Sequence, residues 1–322
     1  MQKNMNKCQA CDESFESERS LHAHLKKHNL TVAEYYTKYY PKKDLLTGES
    51  LPFKNKQDYF DRDFLSRNRL IKWLSLQSSQ DPKIRKYVID KLAARIKHKS
   101  LNHAPCHIEL QLCQLPPIEF YKKIFGSYTH ACKELASQEL RGIQPLYKKN
   151  IIDGFFEDNK KYKDIEILID TREQQPLQFK KSRTLKLDFG DYTTGGDQYS
   201  YTYIDRKSEA DFKSTLSVGF SRFIKEIERA VEFDSFLYIV VDSSINLIKK
   251  NNSFSAHKAN LAYIWHNTRK LINQYPKNCQ FIFSGGRAAS EFLIPRLLIE
   301  GKKLWNCDMQ FHIDKRIREK KK

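Results

Sequence analysis

Between residues 165 and 283 the chain alternates short apolar runs with longer stretches patterned at helical spacing, and few architectures can hold that order. Residues 165–170 (IEILID), 184–194 (TLKLDFGDYTT), 199–207 (YSYTYIDRK), 236–242 (FLYIVVD) and 279–283 (CQFIF) read as strands. Residues 208–233 and 256–275 read as long helices set between them. Strands interleaved with long helices predict an α/β domain built on a central mixed sheet. Charged residues punctuate the apolar runs at particular places. The first run ends on Asp170, followed by Thr171-Arg172-Glu173; the second carries Gly190-Asp191; the third ends in Asp205-Arg206-Lys207.

These residues share a chemistry. Magnesium and manganese prefer carboxylate oxygens and can bridge a scissile phosphate oxygen to an attacking water. A neighbouring lysine can orient or deprotonate that water and offset charge building on the phosphorane. Asp191 on one strand, with Asp205 and Lys207 on the next, provides this set. Residues two apart on a strand point the same way, so Asp205 and Lys207 share a face. Arg206 then points to the other face, or bends back at the strand end toward phosphate. Asp188, Asp197 and Asp242 read as turn or strand-end residues.

The charge balance points to the same partner. Against 39 Asp and Glu stand 57 Lys and Arg, a formal net charge of +18, with a small basic concentration at residues 315–322 (KRIREKKK). Each phosphate that such a surface neutralises releases counterions, so nucleic acid is the expected partner. A hydrophobic share of 40% supports packed cores, and 12% aromatic residues argue against long disorder. The N-terminus (MQKNMNKCQACDESF) lacks the apolar stretch of a signal peptide, and no apolar run is long enough to span a bilayer. The expectation is a cytoplasmic chain, nucleoid- or nucleus-associated in a cell, neither secreted nor membrane-bound. In that setting its seven cysteines favour metal binding over disulfides.

Residues 1–29 carry the sharpest metal signature. Cys8 and Cys11 are separated by two residues, twelve follow before His24, and three more before His28. Two thiolates on a knuckle and two imidazoles one helical turn apart make the closed tetrahedral shell that structural zinc prefers. Phe15 and Leu21 occupy the two apolar positions of a ββα zinc finger, and the whole pattern resembles the two-Cys, two-His family. In a module this small, metal binding supplies the folding energy, roughly 10–16 kcal/mol apparent. His22 lies off the face of His24 and His28 and reads as an exposed neighbour. By alignment to the finger pattern, Ser17, Ser20 and Ala23 fall at the base-reading positions. None can make the bidentate contacts that discriminate bases well, which leaves Lys26 and Lys27 to meet phosphates.

Residues 30–160 read as a mainly helical, basic DNA-binding region, before the nuclease domain and basic tail of residues 161–322. Residues 32–40 (VAEYYTKYY) have aromatics at helical spacing and stop at Pro41; residues 44–53 form a loop; residues 58–76 read as an amphipathic helix pair. Residues 121–135 (YKKIFGSYTHACKEL) read as helix, tight Phe125-Gly126-Ser127 turn and helix. This short stretch is similar to the helix–turn–helix repeats attached to homing endonucleases. His98, His103, Cys106, His107 and Cys113 match no common zinc spacing and are broken by Pro105, so loop and core positions are expected. Cys132 and Cys279 sit in apolar patterns and read as buried thiols.

In order along residues 164–290, Asp170-x-Arg172-Glu173, Gly190-Asp191 and Asp205-Arg206-Lys207-xxx-Asp211 resemble the XPF-family nuclease core. The resemblance implies a restriction-nuclease-like fold and cleavage of DNA with one or two metal ions. It implies that Asp170, Asp191 and Asp205 bind magnesium or manganese, that Glu173 adds an acid, and that Lys207 handles the water or the phosphate. Arg172 and Arg206 match the family arginines that would hold phosphates, and Arg222 sits where the family often has another basic residue. Asp205 departs from the usual glutamate, and no room is left after Gly286 for the paired helix–hairpin–helix motifs of repair members. Three readings follow: a site-directed endonuclease of the phage or mobile-element homing type, a structure-selective flap, fork or junction nuclease, and an inactive zinc-finger DNA-binding protein. One active site per chain implies a nick, or a homodimer for a double-strand break.

Overall fold

The computed structural model describes residues 6–53, 59, 62–135 and 140–320. It divides into two compact units, Met1–Ala104 with Glu109–Gln144, and Pro105–Ile108 with Pro145–Lys322.

In the first unit Ser17 starts α1 (Glu18–His24) by accepting a hydrogen bond from Ser20 N, and a 3-10 turn, Leu25–His28, continues it. Thr31 and Glu34 form a capping box at the start of α2 (Val32–Tyr39), which ends as expected before Pro41. Cys8, Leu21, Leu25, Tyr35 and Tyr36 are buried in one cluster, so the cysteine–histidine segment and α2 share a core. This corrects the reading of His22. It is half-buried, with Nε2 3.1 Å from the Tyr36 hydroxyl, because α2 covers the face on which it projects.

Residues 44–53 form the expected loop, folded around the buried Asp44 carboxylate, which accepts from the N–H groups of Leu46, Thr47 and Leu65. Of the helix pair expected over 58–76, the second member is α3 (Arg67–Leu76), begun by Ser66; residues 58, 60 and 61 lie outside the described residues, as do 321 and 322 of the basic tail. Asp81 and Pro82 start α4 (Pro82–Lys99), whose Ile84, Val88, Leu92 and Ile96 recur every four residues as a buried stripe. After α5 (His107–Leu112), residues 118–133 fold as anticipated. Helix α6 (Ile118–Phe125) stops at Gly126, φ 78°, and Ser127 caps α7 (Tyr128–Lys133).

The second unit begins with α8 (Lys160–Lys163) and holds a six-stranded mixed sheet. Its strands are β1 (Ile167–Asp170), β2 (Ser182–Leu185), β3 (Tyr192–Thr194), β4 (Thr202–Lys207), β5 (Phe236–Val241) and β6 (Cys279–Phe283), in the order β2-β1-β3-β4-β5-β6. Only the β1–β3 and β3–β4 pairs are antiparallel. Every residue of β5 and β6 is buried, as strands covered on both faces require. The helices are α9 (Glu209–Thr215), α10 (Phe220–Glu232), α11 (Ile245–Phe254), α12 (Leu261–Gln274), α13 (Arg287–Glu300) and α14 (Met309–Glu319).

Two sequence expectations change here. Residues 184–194 are not one strand: β2 runs parallel to β1 and β3 antiparallel to it on the opposite side, so the chain must turn through residues 186–191. Gly190 permits that turn at φ +67°, and a Cβ there would lie 2.9 Å from the Ile204 carbonyl oxygen. Residues 208–233 are not one helix either. Ser217 and Gly219 break it, with the Ser217 hydroxyl donating back to the Lys213 carbonyl and Asn267 donating to the Leu216 carbonyl.

Candidate active site and metal centre

Cys8, Cys11, His24 and His28 bring one donor atom each within 4.8 Å of one another. Cys11 Sγ lies 3.2 Å from His24 Nε2, which lies 3.0 Å from His28 Nε2. Around tetrahedral zinc, with bonds of about 2.0–2.3 Å, ligand atoms stand roughly 3.3–3.8 Å apart, so the donor set fits such an ion. A single bridge, Lys7 with Ser14, stands where the finger pattern predicts a two-stranded hairpin. Among the described residues this is the one group of three or more His, Cys, Asp or Glu side chains that converges so tightly. His98, His103, Cys106, His107 and Cys113 form no such group; His107 instead meets Asp314 at 2.9 Å. Cys132 and Cys279 are buried, and burial pushes both thiols up to about 12.

The acids of the second unit meet at a cavity of about 610 Å³. The backbone of Asp191 is stitched between two strands: its N–H donates to the Ile204 carbonyl and its carbonyl accepts from Asp170 N. Its Oδ2 accepts from Arg206 N at 2.7 Å. From β4, Asp205 and Lys207 reach the same cavity, as their spacing predicts, with Lys207 Nζ 2.9 Å from Asp205 Oδ1 and 4.9 Å from the Phe223 ring centroid. Glu226, from α10, also lines it and accepts from Gly190 N at 3.1 Å.

Helix α10 supplies the rim as well. Arg222, Lys225, Glu226 and Arg229 lie at i, i+3, i+4 and i+7, one helical face, while Phe223, Ile227 and Ala230 are buried on the adjoining face. Arg222, Lys225 and Arg229 are exposed, as is Arg172 across the opening. The site therefore has an acidic floor and a basic rim.

Electrostatics on the floor are strained by like charge. Burial, then the neighbouring Asp205, holds the Asp191 carboxyl well above the usual range, and the same two causes raise Glu226. Burial opposes the charge on Lys207, but Asp205 beside it outweighs that and keeps the ammonium above its ordinary value. With all four groups ionised, three carboxylates and one ammonium leave two negative charges, which one divalent cation would balance.

Asp170, Glu173 and Arg206, also singled out by sequence, do not line the cavity. Asp170 is fully buried, and its oxygens accept from Arg172 N, Nε and Nη2 and from Leu187 N at 2.6–3.1 Å. Although burial alone would raise it, the bonds from Arg172 and Leu187 hold this carboxyl below the usual range. Arg206 is nearly buried among Asp242 Oδ2 (2.7 Å), Glu173 Oε2 (3.4 Å) and the Gln175 carbonyl (2.9 Å). Asp242 is thus an ion-pair partner, and Asp188 lines the cavity. Lys26 and Lys27 are exposed on their 3-10 turn. Glu226 escaped the sequence reading because it belongs to no motif block. The available signal was an acid three residues after Phe223 and four before Ala230, beside the apolar stripe of a helix.

No family model matches this chain, and no curated protein matches it. Among solved structures it is similar to XPF from Aeropyrum pernix, at TM-score 0.33 and 16% identity over 43% of this chain and 67% of that one. It is likewise similar to XPF from Aeropyrum pernix in complex with DNA, at TM-score 0.31 and 16% identity over 42% and 64%. The chain spans about two thirds of the length of those structures. Among the described residues no helix is long and apolar enough to cross a membrane.

Proposed function

We propose that this chain is a metal-dependent endodeoxyribonuclease with a restriction-nuclease-like, XPF-related core, directed to its sites by an N-terminal zinc finger and a helical region, as in phage or mobile-element homing enzymes. The observation that carries the nuclease reading is the cavity that joins Asp191, Asp205 and Lys207 under a rim of exposed arginine and lysine. Asp191 and Asp205 would hold the magnesium or manganese, with both carboxylates lining the one cavity. When bound, the metal supplies a polarised phosphoryl oxygen and a more acidic water. Lys207, fixed by Asp205 and Phe223, sets an ammonium beside the reacting phosphate and offsets its gathering charge. Arg172, Arg222, Lys225 and Arg229 engage flanking phosphates and align the strand. Asp170 and Arg206 serve this reading as framework: Asp170 ties the residue 187 turn to β1, and Arg206 N holds Asp191.

One observation favours a structure-selective nuclease as the second reading. Ser17 Oγ caps α1 and lies 2.9 Å from Ser20 Oγ, so two of the three base-reading positions are engaged with each other. A finger of that kind anchors more readily than it specifies. The deciding assay is cleavage, with magnesium or manganese, of linear, branched and random-library DNA with the ends mapped. Cutting at one locus of intact duplex supports site direction, and equal cutting of branched DNA of unrelated sequences supports structure selection. Asp191→Ala, Asp205→Ala and Lys207→Ala should abolish cutting while DNA binding persists. Normal cutting by these variants sinks the site assignment, and an uncut panel with intact binding returns the chain to an inactive DNA-binding role.

A further inference from the structure

We propose that Glu226 is the third carboxylate of the active site, a ligand to the divalent cation in its own right rather than a brace for the turn beneath it. The inference rests on the nuclease reading above and adds a residue that no motif block contains.

Its position on α10 is the first observation. Glu226 stands at the seam between the helix face that lines the cavity (Arg222, Lys225, Arg229) and the face that packs inward (Phe223, Ile227, Ala230). A carboxylate beside a buried stripe is costly unless its oxygens find partners. The Oε1 of Glu226 accepts a hydrogen bond from Gly190 N at 3.1 Å. Glu226 is therefore tethered to the residue before Asp191; among the described residues Asp191, Asp205 and Glu226 do not yet form a group with all ligand atoms within 4.8 Å of one another, so a shared ion would draw them together.

The second observation is Asp205. Only 3% exposed, it lines the same cavity, and Lys207 Nζ straddles its two oxygens at 2.9 Å from Oδ1 and 2.8 Å from Oδ2. An ionised carboxylate has about four acceptor sites, so one shared lysine leaves Asp205 with lone pairs for a cation. The third is the rim. Basic residues surround the acids at the opening, yet among the described residues only Lys207 forms an ion pair with any of Asp191, Asp205 and Glu226.

A structural brace and a metal ligand respond differently to one substitution. Glu226→Gln keeps Oε1 to accept from Gly190 N but removes the charge. With the zinc-loaded full chain, manganese binding is titrated by electron paramagnetic resonance without DNA, and magnesium dependence is measured in a nicking assay. Glu226→Gln should weaken manganese binding about tenfold or more and raise the half-saturating magnesium concentration by a similar factor, with an unchanged melting temperature. Glu226→Asp, which keeps the charge one methylene further back, should fall between the two and serves if the glutamine variant folds poorly. Wild-type affinity for manganese in Glu226→Gln, combined with loss in Glu226→Ala, reduces the residue to a brace and overturns the proposal. If Asp191→Asn also leaves the manganese titration unchanged, no ion sits in the cavity, and the underlying reading fails with it.

Discussion

Asp170 shows how one carboxylate can be legible in a sequence and its surroundings not. Its place at the end of β1 follows from the apolar run before it, but strand spacing does not say that Arg172 folds back onto it. The bidentate pair and two backbone N–H groups leave a buried anion fully engaged. Asp170→Asn should therefore destabilise the fold by about 1–3 kcal/mol at neutral pH, the range for weakening charged hydrogen bonds to a buried group whose arginine partner is exposed. Because the folded carboxyl titrates below its unfolded value near 3.9, its contribution is present above that pH and lost as pH falls through the folded value. Urea melts should show the wild-type advantage in full at pH 7 and much reduced near pH 3; an equal gap at both would contradict the assignment. Asp205 and Lys207 were easier to place, since two residues on one strand share a face whatever lies around them. Glu226 was hidden because helix periodicity marks it as near the core but not as facing acids from β3 and β4.

At the scale of elements, the sequence located the strands well and their breaks poorly. The run 184–194 has enough β-branched and aromatic residues to look continuous, and only pairing to both sides of β1 shows that it must turn. Gly190 is the hinge of that turn and the anchor of the site: it packs against the Ile204 carbonyl, donates to Glu226 and precedes Asp191. Gly190→Ala places a methyl in a left-handed backbone with no room for it. It should cost about 1–3 kcal/mol and reduce cleavage more than DNA binding, since the rim on α10 is untouched. Paired melting and nicking measurements test this, and full activity in a destabilised variant would show that the turn does not position Asp191. The helix from 208 to 233 misled in a similar way, because Ser217 and Gly219 are weak breakers until the Ser217 hydroxyl takes up a backbone carbonyl. The Phe125-Gly126-Ser127 turn, by contrast, was legible because its glycine and capping serine have local jobs.

Two consequences belong to the whole molecule. The cluster of Cys8, Leu21, Leu25, Tyr35 and Tyr36 is too small to hold itself by burial, so on the proposal that Cys8, Cys11, His24 and His28 hold zinc, the ion and α2 support it together. Zinc removal, or Cys8→Ala, should lower protection from hydrogen exchange across residues 6–40 while leaving β5 and β6 protected. Unchanged exchange at Tyr35 and Tyr36 would show that α2 holds without the metal. The second consequence concerns the net charge of +18. A diffuse positive surface and a cleft rim both favour DNA, but they differ in how binding falls with salt. Each phosphate contact contributes about −0.9 to the slope of log affinity against log salt concentration. Arg222 and Arg229 stand on the cavity face of α10, exposed, with no ion pair to an acid among the described residues. If each meets one phosphate, Arg222→Ala with Arg229→Ala should flatten the slope by roughly 2. Replacing exposed Lys26 and Lys27 should flatten it by a similar amount if the finger also grips the backbone, and the four changes together should add. A slope that ignores the α10 pair but responds to the finger pair would place the DNA away from the cavity, and a slope indifferent to both would assign binding to the diffuse charge alone.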